Sequence, residues 1–460
     1  MTNKWIARTG RVQDWIDNPT HRLPVSCTII DVEDSVQEGR DSIEQSWLFA
    51  SYALRNAAGV AVHVDRLRPK GTTNSHGLCA SGPVSFLKIY SVLNETLRRG
   101  GVYKGGAIVG HITLDHPDIL EFINAPRAEL PWIKRCVNLN QEMWDNCPEH
   151  IRDALLHKMQ TGDIWLAKIK YDQHGERIRF NVCLEVALKS RGTCLLQHIN
   201  ASQCEPEELE EAFVQGMTEL CELHGKTGVD KDGMYLSPAE DRQVGLGILG
   251  LANMLARLDI TYADFGKALS ALRAGEAAEI TPAYKLARCF ERAINEAANV
   301  ARSYNMDRCF TIAPTASCSF RYKDPLGYTT CPEIAPPISR LVDRDSGTQG
   351  VLSVDYGPVE IASEVTYPVF REVADGLVGL MDDTGLFHGY SLNHWSDMIE
   401  YNYEFVQEWL DSPQSSLYYA LQVAPDTLRK DDVTDLLDDD YADIFNFTQD
   451  TEDFCVSCAE

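Results

Sequence analysis

The chain has 460 residues, 44% hydrophobic and 24% charged, a globular composition that exceeds one ordinary core but suits an α/β barrel. Its net charge of −26 argues against a nucleic-acid groove or an anionic membrane surface, because phosphate contacts need clustered Lys and Arg, although a local pocket still suffices for a small polyphosphate. No apolar run reaches roughly 18 residues, the start MTNKWIARTGRVQDW lacks a signal-peptide apolar region, and 14 irregularly spaced cysteines do not form a disulfide scaffold, so a reducing cytoplasm is expected.

Strand-like runs occur at 25–30 (VSCTII), 59–64 (GVAVHV), 105–114 (GGAIVGHITL), 163–169 (DIWLAKI) and 193–199 (TCLLQHI). Apolar residues at i, i+3 and i+4 predict helices at Asp41–Arg55, Pro83–Arg99, Pro206–His224, Gly245–Leu258, Pro282–Tyr304 and Asn393–Asp411. Alternating strands and helices predict a parallel α/β sheet or barrel. The acidic stretch Lys430–Glu460 reads as a mobile tail.

Several segments carry chemistry. In FNVCLEVAL, Phe180–Leu188, Asn181, Cys183 and Glu185 alternate with Val182, Leu184 and Val186. Alternate residues of an extended strand share a face, so this segment is expected to aim an amide, a thiol and a carboxylate at one point. Each would need a partner if buried. Cys27 and Cys194 lie in strand-like segments, as core cysteines or, if neighbouring strands bring them together, as a two-electron dithiol. The chain ends in DFCVSCAE, where Cys455 and Cys458 have too few neighbouring ligands for zinc and read as a redox dithiol. APTASCSFRY, with Thr315, Ser317 and Ser319, is either an ordinary loop or a phosphate cradle. RRGGVYKGGA is a glycine-flanked loop with a basic, aromatic tip that matches neither a Rossmann nor a P-loop pattern. SSLYYALQ places Tyr418 and Tyr419 in tandem.

Taken in order, these segments resemble the catalytic subunit of ribonucleotide reductase. NVCLEVAL resembles its Asn-x-Cys-x-Glu finger loop, PVSC and TCLLQHIN its two redox-cysteine strands, and GGVYKGGAIVGHITLDHPDILEFI its specificity loop and following helix. GLGILGLANMLARL and APTASCS…CPEIAPP resemble its core and phosphate loop. The resemblance implies a ten-stranded α/β barrel with the finger loop threaded through its centre. It divides the chain into a short segment 1–23, a catalytic barrel 24–429 and a tail 430–460 carrying the redox CxxC.

The implied reaction reduces a ribonucleotide to a 2′-deoxyribonucleotide by radical chemistry. Carried over by position, Cys183 is the thiyl radical, Glu185 the general base and Asn181 the residue that orients the sugar hydroxyls. Cys27 and Cys194 become a disulfide, which Cys455 and Cys458 reduce before a thioredoxin or glutaredoxin recharges them. Ser26, Thr315, Ala316, Ser317 and Ser319 are candidates for the substrate. Asp34, Arg66, Gly101, Tyr103 and Lys104 are candidates for a dNTP or ATP effector, with Tyr103-Lys104 standing where the family more often has Arg. No tightly bound cofactor is expected. Because LYYALQ resembles the family's relay pair, Tyr418 and Tyr419 are expected to pass a radical from a ferritin-like metal subunit, the class I arrangement. Adenosylcobalamin, made use of on site, is the alternative. A catalytically inactive nucleotide-binding regulator and a general dithiol oxidoreductase are further alternatives. No ATP-binding cone is expected before the barrel, and monomer and homodimer both remain open.

Overall fold

The computed structural model describes residues 4–19, 23–73, 77–98, 107–276, 279–345 and 351–423. Five parallel strands follow one another in chain order: Cys27–Asp31, Gly59–His63, Ile108–Thr113, Lys134–Leu139 and Ile164–Lys168. A second sheet holds Leu196–Asn200, Gln243–Leu249, Arg308–Ile312 and Phe387–Tyr390, again parallel, with Ile6–Arg8 antiparallel on its edge. The segment before residue 24 thus contributes a strand to the sheet, followed by a helix, Gly10–Asp17.

The two-residue period of a strand explains how the sheets curl around a common interior. Cys27, Ile29, Ala61, Val109, Cys136, Trp165 and Ala167 point inward into one cluster. Ile30, Val60, Val62, Ile108, Ile112, Val137, Ile164 and Leu166 belong to the outer layer that the helices cover. Strands buried on both faces read as nearly unbroken apolar runs. The sheets meet along two seams. At one, Thr28 bridges Thr193 antiparallel. At the other, the strand Ser416–Leu417 pairs antiparallel with Ala167 and Leu166 while Tyr418 N–H donates to Leu392 C=O at 2.8 Å. The result is an α/β barrel of two half-sheets.

The covering helices follow their sequence signals. Pro282–Ser303 begins with Thr281 capping Tyr284 N–H and Pro at the first turn, and its buried stripe is largely alanine, which permits close approach to Leu209–His224. Helices expected at 41–55, 83–99 and 206–224 appear as Ile43–Arg55, Pro83–Arg98 and Leu209–His224. Two expectations are corrected. Gly245–Leu258, expected as a helix, is a strand through Leu249 and a helix only from Leu251 to Arg257. Gly245 and Gly247 explain the difference: added Cβ atoms there would lie 2.6 Å from Thr311 Cγ2 and 2.6 Å from Thr311 O, so the strand needs glycine to fit beside its neighbour. Asn393–Asp411, also expected as one helix, opens with the strand His394–Trp395 and becomes helical at Tyr403, where Asn402 caps Phe405 N–H.

Gly389 marks a close approach between the second sheet and the central hairpin. A Cβ there would lie 2.6 Å from Ser415 Oγ, 2.7 Å from Phe180 Cε1 and 3.1 Å from Glu185 O. Gly389→Ala is expected to destabilise the fold by about 1–3 kcal/mol through overpacking. A lowered apparent Tm in calorimetry checks this; an unchanged Tm would show that the centre yields.

Candidate active site

The segment Phe180–Leu188 is not one extended strand, which corrects the shared-face expectation. Arg177–Phe180 and Ala187–Leu188 pair antiparallel, and Asn181–Val186 forms the turn between them. Leu184 adopts φ +64°, a left-handed conformation that side-chain-bearing residues rarely take. The turn, rather than alternation, brings Asn181 and Glu185 together. Asn181 Nδ2 donates to Glu185 Oε1 at 2.9 Å, and Asn181 Oδ1 accepts from the N–H groups of Glu185 and Val186 at 3.2 and 3.1 Å. Asn181, Cys183 and Glu185 are all wholly buried.

Side chains from both half-sheets hold this turn. Thr311 Oγ1 donates to Glu185 C=O at 2.7 Å. Ser391 Oγ donates to Cys183 C=O and lies 3.5 Å from Glu185 Oε2. His388 Nε2 donates to Val244 C=O at 2.9 Å, which leaves Nδ1 to accept Ala187 N–H at 3.3 Å. His63 Nε2 donates to Phe180 C=O at 3.0 Å, and its ring stacks on His111 with centroids 4.1 Å apart. Burial pushes His63 and His388 well below the ordinary imidazole range and His111 to about 3, so all three rings are neutral, and His63 and His388 hold the hairpin directly. At the base of the hairpin, Arg179 bridges Asp31 at 2.9 Å and Asp65 at 3.2 Å, and Arg177 reaches Asp65 at 2.9 Å.

Cys27 and Cys194 do meet. Cys194 N–H donates to Cys27 C=O at 3.0 Å, and Cys27 N–H donates to the Cys194 sulfur at 2.9 Å. Both are free thiols. Burial, then the adjoining Cys27 thiol, then the charge of Glu185 push the Cys194 thiol well above its ordinary value. Cys27, Cys183, Cys194 and Tyr418 share one buried cluster. The Tyr418 and Tyr419 rings lie 4.2 Å apart at 61°.

The other expected residues are more dispersed. Thr315 Oγ1 accepts Glu333 N–H at 2.7 Å, and Ser319 Oγ donates to Ala316 C=O at 2.8 Å, so both hydroxyls serve the loop's own backbone. Ala316 opens the four-residue helix of that loop, and Ser26 is buried immediately before Cys27. Asp34 is paired with Arg68 at 2.7 Å and Arg66 with Asp31 at 3.5 Å, both near the ends of the first two barrel strands. Gly101, Tyr103, Lys104, Cys455, Cys458 and the tail lie outside the described residues, as does the side chain of Ser317. Thr311, Ser391, His63 and His388 were not singled out from the sequence. The available signal was a lone His in an apolar strand, as in GVAVHV, which core histidines also produce.

This arrangement defines an α/β barrel with a thiol-bearing hairpin at its centre and a dithiol beside it. Residues 25–165 match the family model for the ribonucleotide reductase barrel domain. Among curated proteins, a vitamin B12-dependent ribonucleoside-diphosphate reductase of Thermoplasma acidophilum is 26% identical over 280 residues, 52% of this chain and 35% of that protein. One of Mycobacterium tuberculosis is 26% identical over 281 residues, 52% and 40% respectively. The matches thus span well under half the length of these relatives. Among solved structures, an Actinobacillus ureae class Id ribonucleotide reductase alpha subunit superposes with TM-score 0.62 over 92% of this chain and 88% of that one, at 17% identity. Residues 25–165 thus match the ribonucleotide reductase barrel domain, and the chain as a whole shares the fold of that alpha subunit.

One residue beside the loop gives a pH dependence. Glu333 is 4% exposed, and its Oε2 finds no hydrogen-bond partner among the described residues. Burial pushes its carboxyl from 4.5 up to about 8, against a smaller downward pull from Tyr390. The fold therefore tolerates the neutral acid. The unfolded chain loses the proton first, so stability falls as pH rises from about 4.5 towards 8 and levels off above. Glu333→Gln is expected to match the wild type in acid and to exceed its apparent Tm by a margin that grows up to about pH 8. A margin that does not change with pH would contradict this.

Proposed function

We propose that this chain is the catalytic part of a ribonucleotide reductase, converting a ribonucleotide to its 2′-deoxy form at Cys183. What carries this reading is the Asn181–Glu185 hydrogen bond across a buried turn that also holds Cys183, with the Cys27–Cys194 pair in the same cluster. In the proposed cycle the Cys183 thiyl takes the 3′-hydrogen atom while Glu185 takes the 3′-hydroxyl proton. Asn181 orients the hydroxyls and Glu185 through its amide. A proton from Cys27 lets the 2′-hydroxyl leave as water, and the two electrons come from Cys27 and Cys194, whose sulfurs join in a disulfide. The Cys194 hydrogen passes to C2′, Glu185 returns the proton to the 3′-oxygen, and the 3′-hydrogen returns from Cys183. The net change is one ribonucleotide and two thiols to one deoxyribonucleotide, one disulfide and one water. Hydrogen-atom transfer needs a neutral thiol, and an apolar, wholly buried site favours that form.

Further assignments follow the same reading. Cys455 and Cys458 restore the dithiol and are recharged by a thioredoxin or glutaredoxin. Ser26 and the loop of Thr315, Ala316, Ser317 and Ser319 meet the nucleotide phosphates; the Thr315 hydroxyl accepts Glu333 N–H and keeps its own O–H for donation, whereas Ser319 Oγ donates locally to Ala316 C=O. The substrate is a nucleoside diphosphate, the substrate class in the printed names of the first relatives. Asp34 and Arg66, with Gly101, Tyr103 and Lys104, form an effector site for a dNTP or ATP.

The radical source has two readings. The curated relatives are named vitamin B12-dependent, which backs adenosylcobalamin over the metal-subunit arrangement expected from the sequence. The contact between Tyr418 and Tyr419 supports delivery from a ferritin-like subunit.

Turnover of a ribonucleoside diphosphate should be measured with adenosylcobalamin alone and with a metal subunit. Cys183→Ala is expected to abolish turnover with either source, and retained turnover would overturn the reading. Tyr419→Phe is expected to abolish only subunit-driven turnover, so full loss with one source and full retention with the other identifies the class.

A further inference from the structure

The aromatic pair is held from the opposite strand. Ser416 and Leu417 pair with Ala167 and Leu166, so the register brings Tyr418 alongside Trp165. The Trp165 ring centroid lies 4.5 Å from that of Tyr418 and 4.9 Å from that of Tyr419, tilted at 49° to the first and edge-on at 83° to the second. Trp165 thus touches both phenols, which also touch each other. It is 1% exposed, rooted on an inward position of Ile164–Lys168, and belongs to the cluster that contains Cys183. Its indole Nε1 finds no hydrogen-bond partner among the described residues. An indole N–H is normally satisfied when buried, so shape and ring contact, rather than a polar bond, place this residue.

We infer that Trp165 is the positioning residue of the Tyr418–Tyr419 pair, setting the tilt and overlap of the two rings and so the rate at which an oxidising equivalent reaches Cys183. The inference rests on the reading of the pair as a relay. In that relay a one-electron oxidant from the radical source takes a hydrogen atom from the half-buried Tyr419, and the resulting phenoxyl takes one from Tyr418. The Tyr418 phenoxyl then takes the hydrogen atom of Cys183, so that one O–H forms as one S–H breaks. Each step moves one proton with one electron and leaves no net charge in the apolar cluster. Trp165 itself is a poor stopping point. With no acceptor for its N–H, losing an electron would leave an unsolvated cation in the interior. The indole therefore confines the radical to the phenols while holding them in contact. The backbone completes the alignment: Leu392 C=O accepts Tyr418 N–H, and the preceding Ser391 holds Cys183 C=O.

The test uses the full chain with 3-fluorotyrosine at position 418, read by fluorine NMR, in the wild type and in Trp165→Phe and Trp165→Leu. The wild type is expected to give one narrow resonance from an ordered ring, Trp165→Phe a shifted one and Trp165→Leu a broadened or split one. Subunit-driven kcat is expected to fall by about tenfold or more in Trp165→Leu and by less in Trp165→Phe, the scale on which small misplacements act. KM for the nucleotide and the rate at which a small dithiol reduces the Cys27–Cys194 disulfide are expected to stay unchanged. An unchanged resonance and kcat in both variants would overturn the inference. So would a fall in kcat accompanied by a raised KM and slower disulfide exchange, which marks a general disturbance of the barrel. Tyr419→Phe separates the underlying reading: turnover surviving that change removes the relay, and the role of Trp165 with it, whereas loss in Tyr419→Phe with an unaffected Trp165→Leu removes only the role of Trp165.

Discussion

The structure depends on keeping a six-residue turn, bearing an amide, a thiol and a carboxylate, inside an apolar barrel. Left alone, such a turn would be strongly unfavourable, because each buried polar group without a partner costs about 1–3 kcal/mol. The Asn181 side chain resolves most of this. Its amide donates to Glu185 and its carbonyl accepts two backbone N–H groups, so one residue satisfies the carboxylate and closes the turn together. The left-handed Leu184 is the accompanying strain, tolerated because Thr311 and Ser391 hold the flanking carbonyls from the second half-sheet.

The same constraint explains the polar residues scattered along otherwise apolar strands. Arg135, in Lys134–Leu139, donates to the carbonyls of Phe122 and Ile123 at the end of a covering helix. Arg308 and His388 both reach Ala187 at the return of the hairpin. These partners lie far away in sequence. The strands KRCVNL, RCFTI and FHGY mix charged or polar with apolar residues, and none was among the strands expected. Strands whose inward and outward residues are both apolar, such as GVAVH, announced themselves. Local periodicity reveals which residues avoid water; it does not reveal which charge will meet a carbonyl on another element.

The candidate site was legible in a different way. Its residue identities stood in the sequence, and the resemblance supplied their order, so Cys27 and Cys194 were paired before any geometry was known. Extended alternation drew Asn181 and Glu185 to one face, whereas a turn brings these i and i+4 residues together. Trp165 was invisible as part of the site because its significance lies in a register: only the pairing of Leu417 with Leu166 places an indole against two phenols.

The hairpin also separates its ionic groups from its thiol along its length. Its base is ionic, where Arg177 and Arg179 meet Asp31 and Asp65, and its flank is lined by neutral imidazoles. The tip holds Cys183 in an apolar cluster. Hydrogen-atom transfer moves no net charge, so it suits the tip, where an ion would be poorly solvated. Thiol–disulfide exchange is different, because its attacking species is a thiolate. With the Cys194 thiol pushed well above its ordinary value, the buried pair is a poor source of that thiolate, although its disulfide can still accept attack. In the proposed cycle, the nucleophile that renews the pair therefore has to form where water can solvate it and then enter. A dithiol on a segment that reaches solvent meets this requirement, whereas a third cysteine fixed in the barrel wall, such as Cys136, whose thiol burial also raises far above the usual range, does not.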